Sequence, residues 1–183
     1  MSPLLPPSPE AFDHILRLRV VRRYLPRPVP PGVIEAILEA GRWTGSAKNR
    51  QSWAFVVVEE RGTLDLLAEA GDYTAPVLEA PLGIALVRLS EGNDFDLGRA
   101  AQNMMQAAAA NGIGSCPITL HRREQAALIL GLPDDAHCRW LVTFGYPDEE
   151  AEPEQRLQAR ARGLRGRKPL SEVAHRERFC RGG

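Results

Sequence analysis

Apolar residues recur along this chain with two distinct periods. Ser8-Pro9 reads as the N-cap and first turn of a helix, with Phe12, Ile15 and Leu16 on one face. Four prolines in "YLPRPVPPG" end it. Beyond Pro31, the residues Val33, Ile34, Ile37, Leu38 and Gly41 return at i, i+3/i+4 spacing, which predicts a second helix with one buried face. "WAFVVVE" is a short continuous apolar run and reads as a buried strand. Thr63 to Gly71 predicts a short helix, and "LGIALVRL" a second strand. Asn93-Asp94 opens the longest helix, with Phe95, Leu97, Ala101, Met104, Met105 and Ala108 on its inner side and Asn111-Gly112 as its C-cap. "SCPITL" reads as a third strand, "RREQAALILG" as a helix ended by Gly131, and "RWLVTFG" as a fourth strand.

Alternating helices and strands on their own suggest a doubly wound α/β sheet. No repeat and no interior linker divides the chain, so a single domain over 1–183 is expected. From Asp148 to Lys168 the composition turns polar and Arg-rich, which reads as an extended arm. The chain is long enough to bury a sizeable core. With 44% hydrophobic and 25% charged residues it has the make-up of a soluble globular protein. Its longest apolar runs are too short for a bilayer, so no membrane partner is expected. "MSPLLPPSPE" lacks the basic and apolar regions of a signal peptide. Three cysteines form no C-x-x-C, and cytoplasmic residence is the expectation.

Charge adds a second pattern. Net charge is zero, yet five arginines and no acid lie between Arg17 and Arg27, and nine basic residues face only Glu172 and Glu177 from Arg156 onward. The body from 28 to 155 compensates with nineteen acids against nine bases. Basic segments flanking an acidic body suit an anionic ligand. A nucleic-acid partner is not expected, because the arm lacks interleaved aromatics and the body is acidic.

Resident catalytic chemistry is scarce. Four scattered histidines and three cysteines have no metal-ligand spacing, so no metal site is assigned. There is no G-x-S-x-G, no P-loop, and "GIG" at Gly112 to Gly114 follows a helix rather than a strand. Cys116 and Cys138 fall inside predicted strands as small buried hydrophobes, and Trp43 and Trp53 read as core. An enzyme with so few acid–base groups would borrow its reactive group from a cofactor. Guanidinium forks at Arg19, Arg22, Arg165 and Arg167 suit a terminal phosphate, and the amides of "GSAKNRQSW" suit a heteroaromatic ring.

Those residues carry a resemblance. "RVVRRYLPRPVP" followed by "ILEAGRWTGSAKNRQSWAFVVV" resembles the opening of the FMN-dependent nitroreductase family. "DLGRAAQNMMQAAAANGIGSCPI" resembles its central helix and flavin-side strand. "LGLPDDAHCRWLVTFGYP" and "GRKPLSEVAHRERF" are similar to its penultimate strand and closing arm. The resemblance runs from Ile15 to Phe179. It implies an α+β, nitroreductase-like fold: a three-layer α-β-α sandwich with a mixed, mainly antiparallel sheet, in an interlocked homodimer whose arm (148–183) packs on the partner subunit. On this point it overrides the doubly wound reading.

The resemblance also implies FMN as cofactor and NAD(P)H as co-substrate, with electrons passing through flavin N5 to a small electron-poor acceptor in two half-reactions. It matches Arg19, Arg22 and the adjacent Arg23 to the phosphate and ribityl cluster, with Val20 where many members have serine. Ser46, Asn49 and Gln51 match ring contacts donated by the partner subunit. Pro117, Ile118 and Thr119 match the strand beside N5, and Arg165 and Arg167 the closing pair. Leu18 stands where many members have an arginine, Gly45 and Ser52 replace prolines, and Thr119 replaces an acidic residue. The missing serine at Val20 and the exchange at Thr119 keep open an alternative on the same scaffold, a flavin-binding or flavin-sequestering protein without turnover.

Overall fold

Apolar side chains divide between the two faces of one sheet. The computed structural model describes residues 8–151 and 166–179. After α1 (Pro9–Arg17) and α2 (Pro31–Arg42) come β1 (Trp53–Val58), α3 (Arg61–Glu69), α4 (Ala75–Glu79) and β2 (Leu82–Arg88). Then follow α5 (Asp94–Ala110), β3 (Gly114–Thr119), α6 (Arg123–Leu130) and β4 (His137–Gly145). The strand order is β1-β2-β4-β3 and each neighbouring pair is antiparallel. Alternation along β2 sends Leu82, Ile84 and Leu86 into a cluster with Ile34 and Ile37 of α2 and Leu97 and Met104 of α5. Ala85 and Val87 point the other way, to Leu64 and Leu67 of α3, Val77 of α4 and Ala126 of α6. The result is three layers, α-β-α. Because β2 is buried on both faces, its sequence is a continuous apolar run rather than an alternating one.

The antiparallel sheet overturns the doubly wound reading that periodicity alone suggests. The link through α3 and α4 leaves β1 and enters β2 at the same end of the sheet, which the order of helices and strands does not encode. The short helix α4 has no counterpart in the periodicity.

Two aromatic assignments also change. Phe95 is 75% exposed and Trp43 74% exposed. Phe95 lies two residues before the buried Leu97, about 200° away around the helix, so both cannot face inward. Trp43 follows the last turn of α2, where its indole Nε1 donates to Glu39 Oε1 at 2.7 Å. Met104, Met105, Cys116 and Cys138 are buried as expected.

The chain divides into two compact units, Met1–Asp148 and Glu149–Gly183. In the second, α7 (Leu170–Val173) is a single turn, and the His175 and Phe179 rings lie 4.5 Å apart. Among the described residues no helix is long and apolar enough to cross a membrane.

Helix α1 ends at Arg17, so Arg19 and Arg22 do not share a helical face. They belong instead to an extended segment along the outer edge of β3. Val20 pairs in parallel with Ser115, Val21 N–H donates to the Ser115 carbonyl at 2.9 Å, and Tyr24 pairs with Pro147. Gly114 permits that approach, since a Cβ there would lie 2.7 Å from Val21 Cβ. We expect Gly114→Ala to cost about 1–3 kcal/mol through this overlap, or roughly 2–4 °C in Tm per kcal/mol. Thermal melts check this, and adding Val21→Ala should recover part of the loss. The rescue comes from removing Cγ1 and Cγ2, which lie 2.8 and 2.7 Å from the added Cβ; strictly additive losses would place the whole overlap on Val21 Cβ, which alanine keeps.

Burial pushes the thiols of Cys116 and Cys138 up to about 11. A neutral thiol is a poor nucleophile. Both should resist a thiol-reactive disulfide at pH 8 in the native protein and react once it is unfolded, as peptide mass mapping would reveal. Since the folded values are raised, the stability they contribute is complete below the ordinary thiol value of about 9 and is lost as pH climbs through 11.

Candidate functional site

The basic segment and the end of β3 come together at one edge of the sheet. Arg19 Nη1 donates to the carbonyls of Leu16 (2.6 Å) and Leu18 (2.8 Å), closing the C-terminus of α1 while keeping its charge uncompensated by any acid in that contact. Arg22 is exposed, makes no ion pair among the described residues, and lies close enough to bear electrostatically on Cys116. Arg23 differs: its Nε donates to Glu79 Oε2 at 2.8 Å, so its charge is already paired. Val20 is half-buried and packs toward the α3/α6 side of the core, so only its backbone faces outward chemistry.

Strand β3 offers backbone rather than side chains. Ile118 is buried in the core cluster. Leu120 N–H, just past the end of β3, donates to the Arg139 carbonyl of β4, and the Ser115 carbonyl accepts from Val21 N–H on the opposite side. Alternation therefore turns Ser115, Pro117 and Thr119 toward the free edge. Pro117 has no N–H, which suits an edge position, and leaves Thr119 as the amide donor of that stretch.

The loop before β1 is a separate construction at the other edge. Ser46 Oγ accepts from Gln51 N–H at 2.9 Å, and Gln51 Nε2 donates to Asn49 Oδ1 at 3.0 Å. Lys48, Asn49 and Gln51 all have positive φ, at 55°, 53° and 50°. Left-handed backbone costs an ordinary side chain about 1–2 kcal/mol, so three in four residues is an expensive conformation. Non-glycine residues held there cluster at ligand sites. Gln51 Nε2 and Asn49 Oδ1 are paired with each other, which leaves Asn49 Nδ2 as a donor and Gln51 Oε1 as an acceptor without a partner among the described residues.

Beneath the loop lies α5, which the sequence reading treats only as core. Arg99 Nη1 donates to the Gly45 carbonyl at 2.6 Å, and Asn103 Nδ2 to Thr44 Oγ1 at 2.8 Å. The signal for them is in the sequence: two polar residues four apart on an otherwise alanine-rich helix share a face.

The two halves of the assigned site do not meet within one chain. Strands β2 and β4 separate β1 from β3, a span of roughly 14 Å at the usual strand spacing. Ser46, Asn49 and Gln51 therefore lie apart from Arg19, Arg22 and Thr119. Arg167 is exposed in the second unit, and Arg165 lies outside the described residues.

Comparison with known proteins sets this arrangement in a family. The model of the family described as the nitroreductase family matches residues 15–86 and 64–146. A Thermus thermophilus protein named NADH dehydrogenase is 32% identical over 191 aligned positions, covering 82% of this chain and 93% of that protein. Among solved structures, nitroreductase A from Vibrio parahaemolyticus is 22% identical with a TM-score of 0.82, covering 97% of this chain and 79% of that one. The NADPH:FMN oxidoreductase from Vibrio harveyi complexed with NAD+ is 22% identical with a TM-score of 0.80, covering 94% and 79%. At that identity the two structures speak for the fold. The match of the family model and the Thermus relative speak for descent: the chain belongs to the nitroreductase family.

Proposed function

We propose that this protein is an FMN-dependent oxidoreductase that uses NAD(P)H to reduce a small electron-poor acceptor such as a nitro compound or a quinone. When bound, FMN would supply the redox chemistry, accepting reducing equivalents from NAD(P)H and passing them to the acceptor, while the chain's own residues hold it. Family membership supports an NAD(P)H-dependent oxidoreductase in general. The observation that carries the cofactor assignment is the division of labour across the sheet. One edge offers unpaired guanidinium and an outward amide, and the other a strained loop with a free donor and a free acceptor.

The residues present fit FMN. Arg22, with Arg19 behind it, and Arg165 and Arg167 of the arm suit the phosphate, which presents several oxygens and nearly two charges. Thr119 N–H suits a ring nitrogen as donor. Ser46, Asn49 and Gln51 suit the polar edge of the ring and the ribityl hydroxyls, which require mixed donors and acceptors. In this reading the chain's residues bind and orient, exclude water and hold the ring, and supply no acid or base of their own.

Separation of the two halves supports a homodimer in which loop 45–52 of one subunit serves the phosphate site of the other. Helix α1 supports it too, with Phe12, Ile15 and Leu16 each more than half exposed on one face. The C-terminal arm, 148–183, packing on the partner subunit and a cytoplasmic location complete the reading.

Purified protein should be yellow and should bleach on anaerobic addition of NADH or NADPH; a colourless protein unable to retain added FMN ends the proposal. Arg167→Ala should weaken FMN about tenfold or more and riboflavin little, because only FMN carries the phosphate. Asn49→Ala should weaken both alike, by about one to two decades. Fluorescence titration with the two flavins measures this. Steady-state turnover with quinone, nitroaromatic and free-flavin acceptors separates the enzyme from a flavin-sequestering protein, which would hold FMN tightly without oxidising NAD(P)H.

A further inference from the structure

We propose that Arg99 and Asn103 of α5 are positioning residues that aim loop 45–52 at its ligand; the proposal rests on the reading that this loop meets the flavin. Nearly all of the loop's own bonds are internal. Asn49 N–H donates to the Ser46 carbonyl at 3.0 Å, Arg50 N–H to that of Ala47 at 3.2 Å, and Gln51 N–H to Ser46 Oγ at 2.9 Å. Such bonds fix the loop's shape but not its direction. Direction is set where the loop is anchored to the rest of the domain: at its two ends and, more loosely, through Arg50, whose exposed Nη1 lies 3.6 Å from Glu91 Oε2.

At the far end the anchor is the sheet: Leu89 N–H donates to the Ser52 carbonyl at 3.2 Å, and Trp53 opens β1. The near end is held by α5 through Arg99 on Gly45 and Asn103 on Thr44, whose side chain is 4% exposed. Arg99 is itself steered. Asp96 Oδ1 lies 3.8 Å from its Nη1, and Asp96 is locked at the helix start by Asn93, whose Nδ2 donates to Asp96 Oδ2 at 2.9 Å while its Oδ1 accepts from Asp96 N–H at 2.8 Å. Asp96, Arg99 and Asn103 lie three and four residues apart, on one face of α5.

Gly45 gives this clamp its purpose. It stands where the family resemblance has a proline, whose ring would stiffen the loop by itself. A Cβ at position 45 would come 3.3 Å from Arg99 Nη2, so the bare glycine and the guanidinium fit each other. Arg99 supplies from outside the rigidity that the missing ring would supply from within. Preorganisation of this kind strengthens binding by removing the cost of ordering the loop when ligand arrives.

The test is flavin titration of the full-length protein. Arg99→Ala and Asn103→Ala should each weaken FMN and riboflavin by the same factor, about fivefold to tenfold, because the loop meets the ring rather than the phosphate. Arg99→Lys, which keeps a donor for the Gly45 carbonyl, should stay within about threefold of wild type. The absorption spectrum of flavin bound to the alanine variants should lose vibronic structure as the ring loosens, a change that lowered stability alone does not produce.

Failure of the underlying reading looks different from failure of this proposal. Wild-type protein that binds no flavin, or an Asn49→Ala variant that binds as wild type, sinks the reading itself. Normal flavin affinity in both alanine variants, alongside a weakened Asn49→Ala, overturns the clamp. An Arg99→Ala variant that loses FMN but keeps riboflavin also overturns it, since Arg99 would then act as a phosphate cation. Should the alanine variants fail to fold, Arg99→Lys and Arg99→Gln decide: equal loss of flavin in both overturns the proposal, and retention in the lysine variant alone sustains it.

Discussion

Strand order is the constraint on which the other features depend. With β2 and β4 buried on both faces in the middle, β1 and β3 are obliged to be edges, and edges are where backbone groups remain free for something other than the sheet. Each edge is occupied in its own way. The outer side of β3 is partly closed by the Val20–Tyr24 segment through a single short parallel bridge, which brings arginines to it. The N-terminal end of β1 is preceded by a loop with too many polar groups and too strained a backbone for a simple connection. A planar ligand with an anionic tail needs both sets of groups. One chain holds the two sets about three strand spacings apart, because β2 and β4 lie between them.

Most of the architecture was legible because the signals are local. Proline at the first turn of α1 and α2, Asn93 accepting from Asp96 N–H, and glycine with φ of 62° after α6 are start and stop signals that the structure reproduces. The continuous apolar runs mark strands but not their place: β2 is central and buried, whereas β1, expected to be buried on the same evidence, is a half-buried edge strand with Val57 37% exposed. Strand direction was not legible, because an antiparallel and a parallel link can contain the same helices. It came from resemblance, and the sheet agrees. Hydrophobicity alone places Phe95 and Trp43 in the core, but position relative to Leu97 turns Phe95 outward and Trp43 lies beyond the last turn of α2.

The candidate site was legible in its residue types more than in its partners. That "GSAKNRQSW" contains no acid could be seen at once; that Gln51 and Asn49 satisfy half of each other's capacity could not. Arg23 illustrates the same limit. By sequence it is one of a cluster of arginines, yet Glu79, fifty-six residues away on α4, pairs it. Long-range pairing of this kind distinguishes a structural arginine from one with charge to spare, and α4 itself is the element that periodicity did not signal.

Thr119 brings these threads to a physical question about selectivity. Its position fixes a backbone amide toward the free edge whatever its side chain, because Pro117 withdraws the neighbouring donor and Ile118 is committed to the core. An acidic side chain at that position would add a negative charge to this edge of the sheet. A hydroxyl adds none. If Thr119 lies beside a flavin as proposed, a hydroxyl in place of a carboxylate would make the surroundings of the ring less negative without moving the backbone amide. The basic segments act in the same direction. Departures from the family pattern at Thr119 and Gly45 thus fall on different properties, the first on the electrostatics around the ring and the second on the stiffness of the loop.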